Sequence, residues 1–531
     1  MHEFETLLRR LSEGRIGRRD FIKRATALGL AAAIPTGILA EEARAAEPKQ
    51  GGTIRLGLTD PATTDTLDPA TYISNHTQIG MFGGVLNNLT EVAPNGEIVP
   101  ELAESFEASD DAKTWVFKLR NGVEFHNGKS LDAEDVLASI NHHRSEDSKS
   151  AAKPLLSELV DVRADGKDTV VFELSGGNAD FPFIVNDYHM PIMPAKDGKL
   201  DWAGGIGTGG YILDAFDPGV RMTMKRNPNY WKEGRAHFDE VLLLGIADVT
   251  ARQNALVTDE IDVMNRVDRK TASLLARNEG IIVEEATGTQ HYTIPMNTTV
   301  APFDNTDVRL ALKYAIDREG LVQTILRGHG LVANDHPIAP SNRYYAGDIE
   351  QRVYDPDKAK FHLKQAGMDS LTVKLSAADT AFTGAVDTAV LYKEHASKAG
   401  ITIDVVREPA DGYWSNVWMK KPWAMSYWGG RPTEDWMFSI GYAAGGAWNE
   451  SFWSNDRFME LLVEARAELD HEKRRAMYHE MQVLVRDDGG SVIPMYANYI
   501  DGVSTKVAHP DLMASNWELD GWKLLERWWF A

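Results

Sequence analysis

The chain has 531 residues, 43% hydrophobic and 25% charged, with a formal net charge of −22 and no cysteine. That length asks for more than one core, because single cores stop growing near about 250–300 residues. The acidic balance argues against a nucleic-acid partner, and the missing cysteine excludes disulfides, thiolate metal sites, cysteine nucleophiles and a lipid-modified N-terminal cysteine.

Arg18-Arg19-Asp20-Phe21-Ile22-Lys23 precedes a weakly apolar run from Ala25 to Ala40, followed by Ala43-Arg44-Ala45. This resembles a twin-arginine export signal over residues 1–45 with an A-x-A cleavage site near Ala46. A membrane anchor is the weaker reading: the run holds Pro35 and two glycines and falls short of a span of about 20 residues. The segment carries eight basic and six acidic residues, so its removal takes the net charge from −22 to −24. The mature protein is expected to be periplasmic and acidic, and not a lipoprotein.

Along the rest of the chain, Thr53–Leu58, "TWVFKL" (114–119) and "TVVFEL" (169–174) alternate apolar and polar residues as strands do. Asp132, with Asp135 three residues on, predicts a capped helix start, and Leu131 is placed to staple onto Val136. Val308, Ala311, Leu312, Ala315 and Ile316 form one apolar stripe at helical spacing from about Thr306. "LTVKLS" (371–376), a helical stretch to Gly400 and "ITIDVV" (401–406) read as a β-α-β unit. A helical stretch runs from Arg457 to Arg486, broken near Asp470 and stopped at Gly489-Gly490. Strand and helix segments alternate throughout, which defines an α/β protein.

Enzyme signatures are scarce. There is no G-x-S-x-G elbow and no H-E-x-x-H. "HEKRR" at His471 lacks a second histidine and reads as a solvated helix face. Glu284-Glu285 and Asp487-Asp488 read as surface pairs. Residues 204–210, "GGIGTGG", lack a P-loop lysine. His142 and His143 are adjacent on a helix and point about 100° apart, which argues against a shared metal site.

Several segments together resemble one family. "PELAESFEASDDAKTWVFKLRNGVEFHNGKSLDAEDVLAS" (100–139), "GTGGYILDAFDPGVRMTMKRNPNYW" (207–231), "VRLALKYAIDREGLVQTILRGHG" (308–330), "YDPDKAKFHLKQAGM" (354–368) and "YHEMQVLVRDDGGSVIPMYAN" (478–498) are similar, in order, to the peptide-, nickel- and opine-type solute-binding proteins of ABC importers. The resemblance implies a two-lobed periplasmic-binding-protein fold of α/β class, with a hinge and an extra subdomain in the first lobe. The first lobe would be built from 46–92, 205–297 and 497–531, the inserted subdomain from 93–204 and the second lobe from 298–496. The chain would cross between lobes near Asn297 and Pro494–Asn498.

The function so implied is capture of a peptide-like or small anionic or zwitterionic solute between the lobes, for delivery to an ABC permease and ATPase complex in the inner membrane. A monomer is expected, with no enzymatic activity, cofactor, resident metal or nucleic-acid partner. A nickel- or metal-chelate binder of the same family is the alternative, followed by an exported hydrolase on this scaffold.

The resemblance also points to a site. Seven of the 14 tryptophans lie between Trp414 and Trp453, and Trp428 matches the tryptophan of the family's W-x-x-D motif. In peptide-binding members that aspartate pairs with the peptide's α-amino group. Here Trp428-Gly429-Gly430 is followed by Arg431. A guanidinium holds a carboxylate, sulfonate or phosphate bidentately. Arg431 is therefore expected either to clamp an anionic group of the solute or to turn back to Glu434 or Asp435 on its own loop. Trp428 and Trp414 are expected on the cleft wall, with Gly429 and Gly430 admitting the solute close to the backbone. Tyr72, Asn75 and His76 are the candidates on the opposite wall.

Overall fold

The computed structural model describes residues 48–446 and 448–531; the expected export signal, 1–45, lies outside the described residues. A nine-stranded sheet runs through the molecule. Its strands are β1 (Thr53–Leu58), β2 (Tyr211–Asp217), β3 (Arg221–Arg226), β4 (Glu240–Gly245), β5 (Val263–Met264), β6 (Ile281–Pro295), β7 (Gly330–Val332), β8 (Ser426–Trp428) and β9 (Ser491–Ser504). Their order is β2-β3-β4-β1-β5-β9-β6-β8, with β7 also on β9. In β1, Ile54, Leu56 and Leu58 are fully buried, as the alternation requires.

Two lobes hang on this sheet, and the chain passes between them along β6 and β9. They pair antiparallel from Ile281↔Ser504 to Pro295↔Ser491. Ile281 and Ile500 pack into a first-lobe core, whereas Tyr292, Ile294, Met495 and Ala497 pack into a second-lobe core. The crossing therefore falls within 284–291 on β6, earlier than the expected position near Asn297. The ladder marks the spot: pairing runs to Thr287↔Asn498 and resumes at His291↔Tyr496, leaving three residues opposite one. Such a bulge breaks pairing locally and lets the ribbon bend.

The inserted subdomain is a four-stranded antiparallel sheet, Ala103–Ala108, Thr114–Leu119, Thr169–Leu174 and Leu159–Ala164 in that spatial order, covered by helix Ala133–Arg144. That helix has the expected capping box at Asp132 and Asp135. Its core runs from Leu89 to Ile192. Below it, Lys232 meets Glu91 at 2.6 Å, Glu101 at 2.7 Å and Glu526 at 2.8 Å, while Arg527 meets Glu91 at 2.5 Å. The three carboxylates are close enough to hold a metal, but the Lys232 ammonium already sits among them.

In the second lobe, strands Leu371–Ala377 and Ile401–Arg407 pair in parallel around helix Ala385–Ser397. The predicted long helix is two, Asp456–Ala467 and His471–Asp487, the latter capped by Asp470. The solvated-face reading of the second helix needs correction at Arg474, which is 2% exposed. Its guanidinium makes two bonds to Asp180 of the subdomain, at 2.9 and 2.8 Å, and Arg343 adds a third at 2.8 Å. Arg466 reaches Glu158 at 3.2 Å beside this cluster. Asp488 is likewise no plain surface group: it accepts from Arg309 at 2.8 Å and from the Trp453 indole at 2.9 Å.

The second lobe thus meets the subdomain through a carboxylate buried between two arginines. Removing one partner of a buried ion pair costs roughly 3–5 kcal/mol, because the remaining charge stays desolvated. Asp180→Asn is expected to lower the thermal midpoint and to enlarge the radius of gyration of the solute-free protein in small-angle scattering. An unchanged radius would show that the lobes hold this arrangement without the pair.

Candidate functional site

Between the lobes lies a cavity of about 890 Å³. The bulge forms its floor, with Gln290 on one strand and Asn498 and Tyr499 on the other. Gly288 is required here, since an added Cβ would collide with the Tyr499 ring. The first-lobe side presents Asn75, Arg266 and Glu518 together with Trp517 and Trp522, and Tyr188 joins from the subdomain. The second-lobe side presents Tyr292 stacked flat on Phe382 (3.9 Å, 5°), with Tyr427, Gly429, Arg327 and Asp379.

The Glu518 carboxylate on the first-lobe wall is well partnered. Glu518 accepts from Asn75 at 2.6 Å, Asn265 at 3.2 Å and Arg266 at 3.1 Å. Arg266 also pairs with Asp60 at 2.7 Å. Burial, reinforced by the Glu518 charge, holds the Asp501 carboxyl well above the usual carboxylate range.

The expected site residues separate on inspection. Asn75 and Gly429 line the cavity. Tyr72 does not: it is 1% exposed, and its hydroxyl donates to the Leu67 carbonyl at 3.0 Å. His76 is fully buried beside the Leu243 carbonyl, and burial lowers its pKa. Residues 75 and 76 are consecutive on one short helix, so only one of them can face the cleft.

Trp428 also needs correction. Successive strand residues point to opposite faces, and in β8 it is Tyr427 that opens onto the cavity while Trp428 turns into the lobe core. Its indole N–H donates to Glu450 Oε1 at 3.2 Å. Glu450 collects Thr293 at 2.6 Å and Trp418 at 2.7 Å as well. Burial raises the Glu450 pKa, and these donors oppose the shift. Trp414 stands behind Tyr427, ring centroids 5.8 Å apart, off the cavity wall.

The two glycines have different duties. Gly430 adopts φ 85°, and a Cβ there would collide with Thr289 Oγ1, so packing demands glycine. At Gly429 a Cβ would meet nothing within 4 Å.

Arg431 follows immediately; like Trp428 and Gly430, it is not among the residues lining the cavity. Its Nη1 donates to the Gly430 carbonyl at 2.6 Å, and its guanidinium lies 5.4 Å from the Trp428 ring and 5.8 Å from Trp448. Neither loop carboxylate takes it. Glu434 accepts from the Tyr344 backbone N–H at 2.7 Å, and Asp435 is bound to Arg466 at 3.1 Å. Among the described residues no carboxylate lies within 4.0 Å of Arg431. Burial pulls its pKa down, and Tyr188 and Asp187 across the cleft partly offset this. Sequence reasoning missed Tyr188, Trp517, Glu518 and Trp522, although the C-terminal tryptophans were a visible signal.

Two lobes joined by a bent two-strand ribbon, with a polar and aromatic cavity between them, define a solute-capturing protein rather than a fixed-site scaffold. The comparisons agree. Residues 97–450, about two-thirds of the chain, match the bacterial extracellular solute-binding proteins, family 5, and the chain belongs to that family.

Among curated relatives, it is 27% identical to the dipeptide-binding protein of Escherichia coli (strain K12) over 457 residues, covering 77% of this chain and 83% of the relative. It is 30% identical to the nickel-binding periplasmic protein of the same strain over 320 residues, covering 58% and 60%. Among solved structures it resembles HbpA2 from Haemophilus parasuis (TM-score 0.79, 21% identity, 88% and 98% covered). It also resembles DppA from Helicobacter pylori in complex with the peptide STSA (TM-score 0.70, 23% identity, 91% and 99% covered).

The glycine pair yields a direct check. Gly430→Ala is expected to lose roughly 2 kcal/mol or more of stability, from left-handed strain plus the Thr289 collision. Gly429→Ala is expected to keep its unfolding midpoint. Denaturant unfolding of both variants decides; equal losses would show that Gly429 is packed as tightly as Gly430.

Proposed function

We propose that this chain is the periplasmic solute-binding subunit of an ABC importer, working as a monomer and selecting a small anionic or zwitterionic solute: a short or modified peptide, or an opine-like conjugate. Arg431 carries the reading. A partly buried guanidinium two residues beyond the cavity-lining Gly429, beside two indoles and with no carboxylate partner among the described residues, is a desolvated cation suited to an anion. The relatives bind dipeptide, nickel and peptide by their names, and family membership supports capture rather than catalysis.

In this reading the solute is held from both sides as the lobes close. Closure is favoured by the solute's better affinity for the closed form, which the importer then recognises. The Arg18-Arg19 motif supports export by the twin-arginine route. Changing both to lysine is expected to leave uncleaved precursor in the cytoplasm, detected by fractionation; normal periplasmic levels would reject that route.

The solute itself can be recovered by denaturing purified protein and identifying the released compound by mass spectrometry. Truncating one partner of a buried, hydrogen-bonded charge pair costs about 2–5 kcal/mol, and each 1.4 kcal/mol is tenfold in affinity. Arg431→Ala is therefore expected to weaken calorimetric binding of that compound by about 30-fold or more with the fold intact. Arg431→Lys restores only part, since a point charge lacks the planar fork. Wild-type affinity in Arg431→Ala would sink the anion role.

A further inference from the structure

The first-lobe wall contains a feature that no motif announces. Leu519 (φ 52°), Asp520 (59°), Gly521 (65°) and Trp522 (63°) are four consecutive left-handed residues, and only one is glycine. In that conformation each Cβ crowds the following carbonyl oxygen, so L-residues seldom adopt it in series. It persists where the surroundings over-determine it, and such places cluster at ligand contacts.

Here the constraints are explicit. Asp501 accepts from the Leu519 N–H at 3.1 Å. Asp520 accepts from the Ala514 N–H at 2.6 Å and from Arg527 at 3.0 Å. Glu518 is pinned by Asn75, Asn265 and Arg266 as described above.

The turn brings two indoles onto one wall. Trp517 and Trp522 stack 4.7 Å apart at 9°, and Tyr188 packs edge-on against both, at 6.3 and 5.4 Å. All three line the cavity. The Trp522 indole N–H has no acceptor among the described residues. Tyr188 also lies within electrostatic reach of Arg431, which follows the cavity-lining Gly429 by two residues but is not itself on the cavity wall.

We propose that Trp517, Trp522 and Tyr188 form a preformed aromatic contact that selects solutes carrying a ring or other flat unsaturated group beside the anionic group taken by Arg431. Rigid aromatic surface gives large contact area at little entropic cost, and stacked or edge-on rings favour a flat partner. The inference rests on the solute-binding reading and narrows its chemistry.

The test is calorimetric titration with two opine-like acids, N-(1-carboxyethyl)phenylalanine and N-(1-carboxyethyl)alanine, against wild type, Trp517→Leu and Arg431→Ala. Wild type is expected to bind the phenyl compound at least tenfold more tightly. Trp517→Leu is expected to lose that preference, and Arg431→Ala to weaken both acids alike. Equal binding of the two acids by wild type, a preference retained in Trp517→Leu, or binding of neither acid overturns the inference. Loss of both acids in Arg431→Ala without any ring preference in wild type removes the aromatic contact alone and leaves the anion site standing. Should Trp517→Leu fail to fold, Tyr188→Leu carries the same comparison.

Discussion

Everything in this molecule hangs on one antiparallel ribbon. Strands β6 and β9 pass through both lobes as one antiparallel pair, interrupted where three residues oppose one and again, inside the second lobe, between Tyr292 and Ile294. A continuous ladder resists bending, so the three-residue bulge between the two lobe cores is the place where the ribbon can bend. The cavity floor is the same bulge. A solute in the cavity therefore touches the element that must bend, as well as both walls that it brings together.

The second governing quantity is the pairing of buried guanidinium groups. Arg474 and Arg343 share Asp180, Arg466 is held by Asp435 and Glu158, and Arg318 and Arg352 share Asp335. Low-dielectric surroundings make an unpaired charge costly, so this matching is what stability requires. Arg431 departs from it, with a carbonyl, two indole faces and, among the described residues, no carboxylate. The proposed function gives that departure a use: an anion arriving between the lobes would complete the pairing and favour closure.

Strands and caps were legible because their signals are local. The alternation of Thr53–Leu58 and the Asp132–Asp135 box depend only on neighbouring residues, and the structure reproduces both. Facing was not legible. A period of two says that Tyr427 and Trp428 point apart, but which one meets the cleft depends on how β8 pairs with β6, a contact more than a hundred residues distant. The same limit misassigned His76 and Gly430, whose duties are set by Leu243 and Thr289. Arg474 read as solvated because its partner lies in another domain. The left-handed turn at 519–522 was invisible because three of its residues have no propensity for it; Asp501, Asn75 and Arg266 impose it from elsewhere.

The central claim is that Arg431 meets an anionic group of a solute enclosed between the lobes. A crystal structure of the protein purified with its natural solute tests this most directly. The expected result is solute density in the interlobe cavity, with a carboxylate, sulfonate or phosphate oxygen within about 3 Å of the Arg431 guanidinium. Solute bound elsewhere, or an Arg431 turned onto Glu434 or Asp435 with the cavity filled, would contradict it.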